Sequence, residues 1–104
     1  MKHSHYLDEE AVAITESGAR AATIRTVIGK KDGAPNFDMR VVSIGPGGQS
    51  PDHSHPWEHE NFILNGRGTL EVEGEVVDLK PGDITFIPPN AHHCFRTVEG
   101  LELI

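Results

Sequence analysis

The sequence predicts an all-β domain, a sandwich or a barrel of short antiparallel strands. About nine short apolar runs recur at intervals of roughly 8–12 residues, with turn chemistry between them. Eleven glycines and seven prolines in 104 residues suit tight turns. No segment combines a helical period with the length that a stable helix needs. At 11.4 kDa the chain has room for one core and one domain.

Residues 1–9 are polar and read as a flexible N-terminal segment, so the domain is placed at residues 10–104. Ala11–Ile14 and Thr23–Ile28 are rich in β-branched residues and read as strands. Gly29–Asn36 (GKKDGAPN) is a loop. Met39–Ile44 is the next strand, ended by Gly45-Pro46-Gly47-Gly48. Glu60–Leu64 follows a histidine-rich stretch, and Asn65-Gly66-Arg67-Gly68 can turn the chain. Thr69–Glu73 alternates at period two, and Gly74 turns it into Val76–Leu79. Lys80-Pro81-Gly82-Asp83 is a further turn. Ile84–Ile87 stops at Pro88-Pro89-Asn90, and His93–Val98 and Leu101–Ile104 complete the set.

Charge and composition exclude several functions. Sixteen acidic residues against nine Lys and Arg give a formal net charge of −7, the wrong sign for a nucleic-acid surface. No apolar run is long enough to cross a bilayer, and the first twelve residues hold no signal-peptide core. The expected location is the cytoplasm. Cys94 is the only cysteine, so no intramolecular disulfide forms.

Seven histidines are the unusual count. His53 and His55 are two apart and His59 four further on, so on an extended chain all three imidazoles project to one side. His93 opens a later strand that a neighbour can bring to the same point. Four neutral imidazoles meeting inside a barrel bind a divalent transition metal. The i, i+4 spacing of His55 and His59 also fits a helical zinc site, but Pro56 biases His55 away from the helical region. One cysteine rules out a zinc finger.

At these residues the sequence resembles the cupins. Gly47, His53, His55, Glu60 and the Gly66/Gly68 turn fit their first motif; Gly82, Pro88 and His93 fall at the offsets of the second. Asn90 stands where that motif has Gly, and Thr97 where it has Asn. The resemblance extends over residues 22–104. It is strongest to small tetra-histidine manganese cupins of thermophilic bacteria, in Ala34-Pro35-Asn36-Phe37, His53–Glu60 and Pro89-Asn90. It implies a double-stranded β-helix (jelly-roll) barrel. It also implies a metal held by His53, His55, His59 and His93, with manganese or iron ahead of nickel, zinc, copper and cobalt. The common cupin pattern puts Glu60 in the third ligand place. Strand parity and the tetra-histidine relatives favour His59, leaving Glu60 to orient an imidazole. Small cupins usually dimerise, so Ala11–Ile28 are the expected interface strands of a homodimer.

Other residues carry alternatives. Trp57 is either packing at the barrel mouth or a wall of the substrate pocket, and Phe95 is either a cavity or a core residue. Arg40 is either an outward strand charge or an inward group for a substrate carboxylate. His92 and Cys94 have the opposite parity to His93, and His3 and His5 lie in the terminal segment. Six-coordination by four nitrogens leaves two open positions, which suits a dioxygenase or oxidase acting on a small organic molecule. A non-oxidative metal enzyme, an isomerase, decarboxylase or hydrolase, would need a proton-transfer group, Glu60 or a pocket tyrosine; the single tyrosine, Tyr6, lies far along the chain, which counts against it. A binding or sensing module without turnover is the third expectation; the absence of a DNA-binding segment counts against a self-contained regulator. Fold alone cannot choose among these.

Overall fold

The computed structural model describes all 104 residues. Nine strands form: β1 (Val12–Ile14), β2 (Arg20–Ile28), β3 (Met39–Gln49), β4 (His59–Gly66), β5 (Gly68–Val72), β6 (Glu75–Leu79), β7 (Ile84–Ile87), β8 (His93–Arg96) and β9 (Leu101–Leu103). The only helical pieces are single 3₁₀ turns at Tyr6–Asp8 and Lys30–Asp32. No helix is long and apolar enough to cross a membrane.

All pairings between strands are antiparallel. The sheet runs β6-β5-β8-β3-β9-β4-β7, with β2 also on β3 and β1 on β2. The fold class is therefore the all-β curled sheet expected of a jelly roll. The β5–β6 hairpin closes through Glu73 and Gly74 at φ 48° and 83°. Two positive φ values define a type I′ turn, whose twist matches that of the strands.

β3 is longer than the sequence indicates. It does not end at Ile44 but continues through Gly45-Pro46-Gly47-Gly48 to Gln49. The register against β2 shifts between Arg20 and Ala22, so this segment bulges, and a proline is tolerated there. Past the bulge the strand changes partners: Ile44 pairs with Leu101, whereas Gln49 pairs with Arg96. β3 thus binds both halves of the barrel. Asn65–Gly68 is likewise no hairpin, because β4 pairs with β7 and β9 while β5 pairs with β6 and β8.

The core contains Ile44, Ile63, Leu70, Ile87, Phe95, Leu101 and Leu103. These are inward positions of different strands, brought together by period-two alternation. Ile63 and Ile87 are fully buried. Trimming one methylene at such a site, Ile87→Val, is expected to cost about 0.5–1.5 kcal/mol, read as a lower urea midpoint with an unchanged slope. In the N-terminal segment, Lys2 Nζ pairs with Glu9 at 2.6 Å and Asp32 at 3.0 Å. The Tyr6 hydroxyl donates to Glu102 at 3.3 Å.

Candidate metal centre

The histidines come near one another by a route that strand alternation does not foresee. Residues 50–58 are not a strand. Only His53 pairs, through an isolated bridge to His93, with His93 N–H donating to His53 O at 2.9 Å and His53 N–H to His93 O at 3.2 Å. The chain then bends at Pro56-Trp57, and His59 opens β4. The bend brings His59 round to the same side as His55, and the Asn90 N–H donating to His55 O at 2.7 Å ties the loop down.

Ring centroids lie 4.9 Å apart for His53–His55, 5.0 Å for His53–His93, 4.9 Å for His55–His93, 4.5 Å for His55–His59 and 5.5 Å for His59–His93. One nitrogen each of His53, His55 and His93 lies within 4.8 Å of the others. His59 Nε2 is 2.8 Å from His55 Nε2. Nitrogens bound about 2.1 Å from a common ion are about 3 Å apart when adjacent and about 4.2 Å when opposite. His53, His55 and His93 thus form a group that could hold one cation, while His59 lies beside His55 and outside that group.

Hydrogen bonds fix the tautomers. His55 Nδ1 is 2.9 Å from Trp57 O and His93 Nδ1 is 2.9 Å from Ala91 O. A carbonyl only accepts, so both Nδ1 atoms carry the proton and each Nε2 keeps a lone pair, that of His55 facing His59 Nε2. The His55 ring is also held flat against Trp57, at 4.3 Å and 5° between planes.

Burial and neighbouring positive charge disfavour protonation of His53, His59 and His93. Burial, then the neighbouring imidazoles of His55 and His93 and the charge of Arg40, push His59 down to about 4. His53 and His93 are lowered from the ordinary histidine value, chiefly by burial. Neutral imidazole is the form that binds metal. The metal-free protein should therefore keep its full stability above about pH 6.5 and lose it progressively as pH falls toward about 4, because the unfolded chain takes up protons first. Urea melts of metal-free protein at several pH values between these limits check it. An unchanged midpoint would contradict the role of burial.

The cluster lines a cavity of about 880 Å³, in the upper part of the range usual for small-molecule sites. Arg40, Trp57, Glu60 and Phe95 line it as well. Phe95 both packs in the core and faces the cavity. Arg40 takes the inward alternative. Glu60 is exposed and makes no hydrogen bond to an imidazole. Interaction with the neighbouring Glu58 carboxyl, then burial, raises the Glu60 carboxyl above the ordinary range. His92 turns away to Asp52, at 2.5 Å, and Cys94 is a buried free thiol. Sequence reasoning misses Phe37 and Asn61 as lining residues. Asn61 has the parity of His59, and Phe37 stands in one of the stretches that carry the resemblance, so both signals are present.

A curled antiparallel barrel with histidines in its cavity is the architecture of a cupin. Residues 40–103 match the cupin-domain family Cupin_2, and the chain belongs to that family. Among solved structures it is similar to the polyketide cyclase RemF from Streptomyces resistomycificus. The identity is 34% and the TM-score 0.92, over 99% of this chain and 75% of that one. A cupin 2 conserved barrel domain protein from Rhodopseudomonas palustris overlaps with a TM-score of 0.77 at 26% identity, over 89% and 65% of the two chains. Acireductone dioxygenase from Bacillus anthracis is 27% identical over 93 residues, 85% of this chain and 52% of the enzyme. The chain thus spans about half the length of the curated relatives it matches.

Proposed function

We propose that His53, His55, His59 and His93 hold one divalent transition-metal ion and that the site transforms a small, enolisable, oxygen-rich molecule. The grouping of His53, His55 and His93 in one cavity, with the His59 Nε2 2.8 Å from that of His55, supports this reading. Manganese and iron come first from the resemblance; zinc, nickel, cobalt and copper suit the same all-nitrogen donor set. When bound, the ion draws electron density from substrate oxygens and acidifies the neighbouring C–H bond. Acireductones and polyketides, the compounds in the relatives' names, are both enolisable.

The reaction we favour is non-oxidative ring closure of a polyketone. The near-complete overlap with RemF at 34% identity supports it. Ring closure removes a proton from carbon and delivers one to the carbonyl oxygen that becomes hydroxyl. The Glu58–Glu60 pair, exposed along the cavity lining and with a raised Glu60 carboxyl, can take and return that proton. Trp57 and Phe95 supply flat walls that order a flexible chain and exclude water. The likeness to acireductone dioxygenase favours a second reading, the dioxygenase or oxidase reaction.

A single comparison separates them. Manganese-, iron- or zinc-loaded protein is incubated with a linear polyketone under nitrogen and under air, with an oxygen electrode in place. Cyclised product at equal rates in both gases is expected. Product only in air, with oxygen consumed, replaces it by the oxidative reading. Binding without product in either gas leaves a binding module and overturns the enzyme.

A further inference from the structure

Arg40 lies on β3, two residues from Val42 and four from Ile44, which pack inward. By strand alternation its side chain enters the barrel, and it lines the same cavity as the histidines. Arg20 and Arg25 each donate to a backbone carbonyl, and Arg96 pairs with Asp52 and Glu71. Arg67 is exposed to solvent. Arg40 is the half-buried arginine with neither an ion pair nor a side-chain hydrogen bond to the protein. Five N–H donors in fork geometry thus face the cavity without a protein acceptor.

The cavity's other charges do not fill that gap. Glu16, Asp38, Glu58 and Glu60 line it too, but all four are exposed and none approaches Arg40 within ion-pair distance. The cavity's carboxylates therefore sit in solvent while its one arginine is withdrawn among apolar and histidine neighbours. Its charge is near enough to His59 to disfavour protonation there. A partly desolvated guanidinium is matched best by a planar, bidentate oxyanion. Phe37 and Trp57, both well exposed along the same cavity, offer flat apolar surface to whatever carries that anion.

We infer that Arg40 receives a carboxylate of the substrate, so that the natural ligand is an aromatic or polyketone acid held by its acid group at Arg40. This deepens the proposed function and rests on the same cavity, but it does not require the metal. Arg40 is a binding and specificity residue here.

The test uses metal-free protein and two probes of equal shape, 2-naphthoate and the neutral 2-naphthamide. Trp57 is the only tryptophan, so its indole N–H gives a single NMR signal on the cavity wall whose shift reports binding. The wild-type protein is expected to bind the naphthoate at least about tenfold more tightly than the amide, the effect of one charge-assisted contact. Arg40→Gln should abolish that difference and Arg40→Lys should retain part of it. Zinc uptake, measured alongside, should survive both substitutions. Equal binding of the probes, no binding of either, or a preference that survives in Arg40→Gln overturns the inference. Loss of zinc uptake in His59→Ala or His93→Ala with the preference intact leaves Arg40's role standing. Normal zinc uptake in those histidine variants would instead overturn the metal reading alone.

Discussion

Alanine in place of His93 is expected to abolish tight metal uptake while leaving the barrel folded. His93 is only 4% exposed, and its ring stands 5.0 Å from His53 and 4.9 Å from His55. In the proposed centre it supplies one donor directly. Losing a group that merely orients a ligand costs about 10–100-fold in affinity; losing a ligand should exceed that range. Calorimetric titration with zinc or manganese reads the loss, and far-ultraviolet circular dichroism checks the fold. His92→Ala is the control. It removes an adjacent imidazole that faces Asp52 instead of the cluster, and it should leave uptake unchanged. Equal affinity in wild type and His93→Ala would remove the four-histidine reading.

Gly66→Ala is expected to be the most damaging single methyl addition. Gly66 has φ +83°, and a Cβ there would lie 2.1 Å from Gly100 O and 2.8 Å from Gly100 C. Both are backbone atoms of the segment that leads into β9, and Arg67 N–H donates to that same carbonyl at 3.0 Å. A non-glycine residue at this φ costs about 1–3 kcal/mol, and overpacking costs about 1–3 kcal/mol more. Together these consume a large part of the about 5–15 kcal/mol that holds a domain of this size. Gly74→Ala separates the two effects, because Gly74 has the same φ of +83° and nothing within 4 Å of the added Cβ. It should show only the first cost. Thermal melts of both variants decide it, and equal melting points would show that the contact with Gly100 is easily relieved.

Most of the strands are legible from local signals. Ile84–Ile87 reads as a strand with the bounds it has, and Gly74 reads as a turn because glycine supplies the positive φ that a two-residue hairpin needs. Partner choice is not legible. Nothing within Gly45–Gln49 says that Arg96 will pair with Gln49, since those residues are distant in sequence. The four histidines stand out by type and spacing, but alternating faces presuppose an extended chain across residues 53–59. The bend at Pro56-Trp57 brings the rings together instead, and on sequence grounds Pro56 speaks only against a helix. The inward course of Arg40 is an open alternative in the sequence because a strand's two faces look alike until the sheet has curled.

The place of β9 has a consequence for how the molecule is made. It lies between β3 and β4, so the sheet stays split until Leu103 has emerged from the ribosome. The nascent chain carries His53, His55 and His59 well before their buried companion on β8 has a closed sheet around it. In the finished sheet this late strand joins the half that carries β3 to the half that carries β4.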